Sequence, residues 1–70
     1  MKLKYNSYDD VLVVTLKDDP LSYAEEVDEY IIAHYSDKDE LIEIEILDAS
    51  EFFRVSNEVI IPEIIKAEAS

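Results

Sequence analysis

Hydrophobic and polar residues alternate along most of the first 47 residues, a pattern typical of β-strands with one buried face. The clearest case is residues 41–47, where three isoleucines point one way and two glutamates point the other. Residues 11–17 are rich in β-branched side chains and apolar on both faces, which predicts a strand covered on both sides. Weaker alternation predicts three further strands, at residues 2–6, 21–27 and 30–35.

Short polar breaks separate these strands, and the whole chain contains no glycine. Asn and Asp must therefore supply any position with positive φ, because they tolerate left-handed backbone. Residues 36–40 predict a hairpin loop. Since parallel pairing would need long crossovers, antiparallel pairing is the economical arrangement. We predict an α+β fold, an antiparallel β-meander of four to five strands with one or two C-terminal helical segments.

The two-residue alternation of hydrophobic and polar positions ends after residue 46, which indicates a helix in the C-terminal part of the chain. Asp48 and Ser50 offer short polar side chains where a helix can begin. Residues 51–55 then predict a helical turn that packs two phenylalanines on the sheet. We predict that the buried face of the sheet includes Leu12, Val14, Leu16, Ile31, Ile42, Ile44 and Ile46.

Residues 59–65 are strongly apolar but interrupted by Pro62. Because proline suits the first turn of a helix, we predict a helix at residues 62–69, preceded by an extended stretch or a helical turn. We divide the chain into a β-meander domain at residues 1–55 and an apolar helical extension at residues 56–70. The extension packs either on the chain's own sheet or on a second subunit.

A chain of 70 residues is short for an independently stable domain, since it buries only about 60% of its unfolded surface. There is no cysteine for disulfides, so a partner chain is the remaining means of stabilisation. We therefore predict a homodimer. Its predicted interface residues are Val59, Ile60, Ile61, Ile64, Ile65, Val11 and Val13.

The chain carries 18 acidic and 6 basic residues, a net charge of −12. Nucleic acids and anionic membranes are therefore unsuitable partners, because both attract clustered Lys and Arg. The charge either keeps the protein soluble or forms an acidic surface that meets a basic protein. No apolar run approaches the roughly 20 residues of a membrane span, and the N-terminal residues do not resemble a signal peptide. We expect a cytoplasmic location.

Candidate catalytic and metal-binding groups each have a simpler structural interpretation. Residues 37–40 lack the glycine of a calcium loop and fit a solvated hairpin tip. Glu43 and Glu45 could act as paired carboxylates, but an alternating strand gives the same spacing. His34 has no second histidine, serine or cysteine at a motif spacing. We predict no catalytic residues, no metal and no cofactor. Core or interface positions are also the simpler interpretation for the tyrosines, Tyr5, Tyr8, Tyr23, Tyr30 and Tyr35.

Four segments of the sequence carry a family resemblance: Lys-Leu-Lys-Tyr at 2–5, Tyr-Asp-Asp-Val-Leu-Val at 8–13, Glu-Val at 26–27 and Ile-Glu-Ile-Leu-Asp-Ala-Ser at 44–50. In this order they resemble DUF2283, a family of small prokaryotic proteins of unknown function. The family pattern often has glycine where this chain has Asp39 and Glu43, and aspartate where it has His34. The resemblance implies a compact β-meander with a C-terminal helix and no established activity. Some members resemble the antitoxin-like half of gene pairs with a small basic partner.

Together these observations favour a non-enzymatic protein-interaction module that binds a basic protein. The alternative is a small enzyme or ligand-binding protein, with a site built at the dimer interface from tyrosines and carboxylates of two chains. A third hypothesis is a structural or regulatory domain without a ligand.

Overall fold

Five antiparallel strands form one sheet in the computed structural model, which describes residues 1–55 of the chain. The predicted α+β meander-like fold is confirmed, and strand ends differ from the predicted ones by at most two residues. The helix predicted at residues 62–69 lies outside the described residues. The elements are β1 (Lys2–Asn6), β2 (Val11–Thr15), β3 (Tyr23–Glu26), β4 (Ile31–Tyr35), β5 (Leu41–Ile46) and α1 (Ala49–Val55).

The strands lie in the order β1-β2-β5-β4-β3, so β5 occupies the centre of the sheet. A β1–β2 hairpin and a β3–β4–β5 meander are joined where β2 pairs with β5. In this pairing Leu12 lies opposite Ile46, and Val14 lies opposite Ile44. The connection at residues 16–22 must therefore carry the chain from β2 to the far edge of the sheet. Strands β1 and β3 form the two edges.

The core lies on one face of the sheet, beneath α1. Five of the seven residues predicted for the buried face are buried, but one of them, Ile42, does not belong to the core cluster. Leu12 and Leu16 are partly buried and pack against the core. The helix contributes Phe52, whose ring meets the edge of the Tyr30 ring at a centroid distance of 5.8 Å. The buried cluster comprises Val14, Ile31, Ala33, Tyr35, Leu41, Ile44, Ile46, Ala49 and Phe52.

A register shift between β4 and β5 explains why two consecutive residues of β5 are buried. His34 lies opposite Glu43, whereas Tyr35 lies opposite Leu41, so Ile42 is an extra residue in β5. Such a bulge interrupts the strict alternation of faces. Both Leu41 and Ile42 are consequently buried, although alternation alone assigns them to opposite faces.

Left-handed backbone occurs at three aspartates within residues 1–55, as the absence of glycine predicts. The φ angles are 55° at Asp10, 62° at Asp39 and 47° at Asp48. Each stands in a connection, where the chain reverses or a helix begins. Aspartate therefore takes the role that glycine has in most tight turns.

Asp10 attaches the start of α1 to the β1–β2 turn. The Ala49 N–H donates to the main-chain oxygen of Asp10 at 2.9 Å. The Ser50 N–H and hydroxyl both donate to the Asp10 carboxylate, at 3.2 Å and 2.9 Å. The Tyr5 hydroxyl donates to the same carboxylate at 2.7 Å, and this bond, supported by Ser50, lowers the pKa of Asp10. A residue 40 positions away thus accepts the first N–H groups of the helix.

Candidate interaction surface

Acidic side chains outnumber the cations available to pair with them. Residues 1–55 hold 15 of the 18 acidic residues and 5 of the 6 basic ones. Two acidic side chains in this part of the chain form ion pairs with Lys or Arg, and a third contacts a histidine. The ion pairs are Lys17 with Glu40 and Arg54 with Glu51, and the histidine contact is that of His34 with Glu45. The surface described by the structure is therefore strongly negative.

One end of the sheet brings two acidic loops together. Residues 16–22 and the hairpin loop at residues 36–40 meet there, and Lys17 of one loop pairs with Glu40 of the other. The Ser36 hydroxyl oxygen is buried and accepts the N–H groups of Lys38 and Glu40, at 3.1 Å and 3.3 Å. A cavity of about 530 Å³ lies between the loops, lined by Asp19, Pro20, Leu21, Ser22, Ser36, Asp37, Lys38 and Glu40.

An aromatic stack holds the first residue of the edge strand β3. The rings of Tyr23 and Tyr35 lie 5.1 Å apart and nearly parallel, at 17°. The Tyr23 hydroxyl donates to the Asp39 carboxylate at 2.6 Å. This hydrogen bond to an anion stabilises the protonated phenol and raises the pKa of Tyr23 to about 12. The start of β3 is thereby connected to both β4 and the hairpin tip.

The sheet face opposite α1 carries the predicted interface residues Val11 and Val13. Both are half-buried on β2, and Val13 lies between Lys4 of β1 and Glu45 of β5 in the register. On the same face, the His34 imidazole contacts the Glu45 carboxylate at 2.5 Å. The other predicted interface residues lie outside the described residues; they are Val59, Ile60, Ile61, Ile64 and Ile65.

The two glutamates of β5 have separate partners rather than a shared site. The Thr15 hydroxyl donates to Glu43 at 3.3 Å, while Glu45 pairs with His34. Within residues 1–55 no group of three or more His, Cys, Asp or Glu side chains could hold a metal ion. No helix in the same part of the chain is long and apolar enough to cross a membrane.

Sequence reasoning missed the Tyr23–Tyr35 stack and the attachment of α1 by Asp10. The stack depends on the register, which places Tyr23 directly opposite Tyr35. The only local indication of that register is the short connection between β3 and β4, which favours a hairpin. The contact between Asp10 and Ser50 has no local signal, because it depends on β2 lying beside β5.

Comparison with known proteins gives a family and no activity. No curated protein matches the chain, and no solved structure matches it either. A family model described as "Protein of unknown function (DUF2283)" matches residues 2–50, which is well over half of the sequence. The resemblance noted from the sequence is thus confirmed, and the chain belongs to the DUF2283 family.

Proposed function

We propose that this protein is a non-enzymatic interaction domain that binds a basic partner protein. The observation that carries the proposal is the excess of exposed acidic side chains over cations in residues 1–55. Unpaired surface charge of one sign steers an oppositely charged protein toward the surface and accelerates association. A small basic partner, as in the antitoxin-like gene pairs that some family members resemble, has the required charge.

We also propose that the protein acts as a homodimer in the cytoplasm. Its small size favours association, because a domain of this length has a limited core. Val11 and Val13 would contribute apolar surface on the face opposite α1, together with the apolar residues Val59, Ile60, Ile61, Ile64 and Ile65. Light scattering of the full chain across a dilution series tests this proposal. A mass of one chain at every concentration would contradict it.

The alternative, a small enzyme with an interfacial site, receives less support from the tyrosines. The hydroxyl groups of Tyr5 and Tyr23 donate hydrogen bonds to carboxylates of the same chain, those of Asp10 and Asp39. These bonds raise the pKa values of both phenols, which makes them weaker acids at neutral pH. An acid catalyst needs a pKa near the working pH. This alternative would be favoured by a pocket between two copies on which polar groups of both chains converge.

The proposed function is tested by capture from a native lysate at low and moderate salt. The immobilised full chain should enrich a basic protein, and the purified pair should bind more weakly as salt rises, because counterions screen exposed charges. A matched control is a chain in which Asp18, Asp19 and Asp37 are changed to asparagine, which keeps side-chain size and removes charge. Recovery of no partner at either salt concentration would refute the proposal. Salt-independent binding that the asparagine variant retains in full would also refute it.

A further inference from the structure

Among the residues that the structure describes, strand β3 has a free edge, and it lies in the most acidic stretch of the chain. All four residues of β3 are exposed, and no strand of the described part pairs with its outer side. The Val27 N–H donates to the Ile31 oxygen at 2.8 Å, toward β4. Because main-chain groups alternate along a strand, the N–H groups of Ala24 and Glu26 point to the outer edge. These groups are available to another strand.

The side chains of this edge combine apolar and acidic groups. The register places Tyr23 opposite Tyr35 and Glu25 opposite Ala33, on the face that α1 covers. Glu26 lies on the other face, opposite Ile32. Exposed apolar residues, Leu21 and Val27, flank the strand on either side. An added strand would therefore meet one carboxylate on each face and an aromatic ring at its end.

Charge distinguishes this edge from the opposite one. Residues 18–37 contain seven acidic residues and no Lys or Arg. The other edge strand, β1, carries Lys2 and Lys4 instead. Lysines on an edge discourage pairing with another basic strand, whereas glutamates on an edge attract one. The stack and hydrogen bond of Tyr23 fix the start of β3, so the edge is ordered before any partner arrives.

We propose that the basic partner binds by adding an extended segment to the outer edge of β3 as a sixth strand. This inference rests on the proposed function and specifies its site. Main-chain hydrogen bonds with Ala24 and Glu26 give affinity, while a Lys or Arg side chain opposite Glu26, on the face away from Tyr23, gives specificity. An apolar side chain of the partner contacts Tyr23. The recognised ligand is therefore an extended segment in which basic and apolar residues alternate.

The probe is a blocked octapeptide of alternating lysine and valine, titrated into the isotope-labelled full chain and followed by NMR. We expect saturable shifts that are largest at the amides of Ala24 and Glu26. A matched peptide with the same composition but lysines and valines in separate blocks should bind more weakly. N-methylation of alternate peptide nitrogens, which leaves the protein unchanged, should weaken binding roughly tenfold, because it removes main-chain hydrogen bonds on one edge.

Two variants of the protein complete the test. Ala24→Pro removes an outward N–H that β4 does not use, and proline is accepted on edge strands, so the fold should persist. We expect Ala24→Pro to reduce the affinity for the peptide about as much as N-methylation of the peptide does. The double change Glu25→Gln and Glu26→Gln should reduce both affinity and its salt dependence. Unchanged binding by Ala24→Pro and by the N-methylated peptide would overturn the proposal.

The outcomes separate this inference from the proposed function. If a lysate partner binds the wild type and Ala24→Pro equally, the partner exists but docks elsewhere. If no lysate partner is found, the proposed function fails whatever the peptide does. A second copy could also dock, because β1 itself alternates lysine with Leu3 and Tyr5. Pairing of β1 in one copy with β3 in the next is head-to-tail, so it would form open-ended assemblies rather than a closed dimer. A mass in solution that grows with concentration, and that Lys2→Glu and Lys4→Glu reduce, would show that a second copy occupies the β3 edge. That result would overturn the proposal of a basic partner at this edge.

Discussion

Phe52 attaches the only described helix to the sheet, and its truncation should destabilise the whole domain. The side chain is 2% exposed and lies in the core cluster with Ile31 and Ile46. Its ring also meets those of Tyr30 and Phe53 edge-on, at 5.8 Å and 5.1 Å. A seven-residue helix is not stable alone in water, so its packing determines whether it forms.

Replacing Phe52 by alanine should cost about 3–5 kcal/mol, because it removes a buried ring and leaves a cavity. Domains of this length have a total stability of roughly 4–10 kcal/mol, at about 0.05–0.15 kcal/mol per residue. The variant should therefore lose roughly a third of its stability or more. We expect a large fall in the urea midpoint, measured on the full chain by far-ultraviolet circular dichroism.

The adjacent Phe53 provides a matched control, since its side chain is 50% exposed. Phe53→Ala removes the same atoms from the same helix but exposes little new apolar surface. It should cost about 1 kcal/mol or less, because the lost ring contact is worth roughly 0.5–1.5 kcal/mol and burial changes little. Equal midpoints for the two variants would refute the assignment of Phe52 as the attachment of α1.

Three further predictions concern the aspartates in the connections. Asp39→Asn should lower the pKa of Tyr23 from about 12 toward 10, as measured by ultraviolet titration of phenolate; an unchanged value would mean that Asp39 is not the cause. Because this pKa is raised on folding, the stabilisation is present below pH 10 and is lost as pH rises toward 12. Asp10 has a lowered pKa, so its stabilisation is present at neutral pH and is lost on acidification. Asp10→Asn, which tolerates positive φ, should make the urea midpoint less sensitive to acid and shift the Ser50 amide resonance; unchanged acid sensitivity would contradict this. At Asp48, substitution by valine should cost about 1–2 kcal/mol relative to glycine, because β-branched residues tolerate left-handed backbone poorly. Equal stability of the two variants would exclude backbone strain there.

The strands and their buried faces could be predicted because alternation is a local property. Val14, Ile31, Ile44 and Ile46 follow from the two-residue period alone. The aspartates with positive φ follow from the lack of glycine, because aspartate tolerates left-handed backbone better than most residues.

Strand order and register were less accessible, because they depend on contacts between distant segments. Nothing local indicates that β2 lies beside β5, or that Ile42 is an extra residue opposite β4. The candidate docking edge illustrates the same limit. The acidity of residues 18–37 is visible in the sequence, but its position on a free edge follows only from β3 being the last strand of the sheet.

The pairing of β2 with β5 also has a kinetic consequence. Each hairpin closes a connection of about five residues, whereas Thr15 and Glu43, partners across the central pairing, are 28 residues apart. Closing the longer loop costs roughly 1.5 kcal/mol more in chain entropy, since the cost grows with the logarithm of loop length. We therefore expect the β1–β2 hairpin and the β3–β4–β5 meander to form early. Their docking along β2 and β5 should then limit the folding rate, so that substitutions at Val14 or Ile44 slow folding more than equally destabilising changes within either unit.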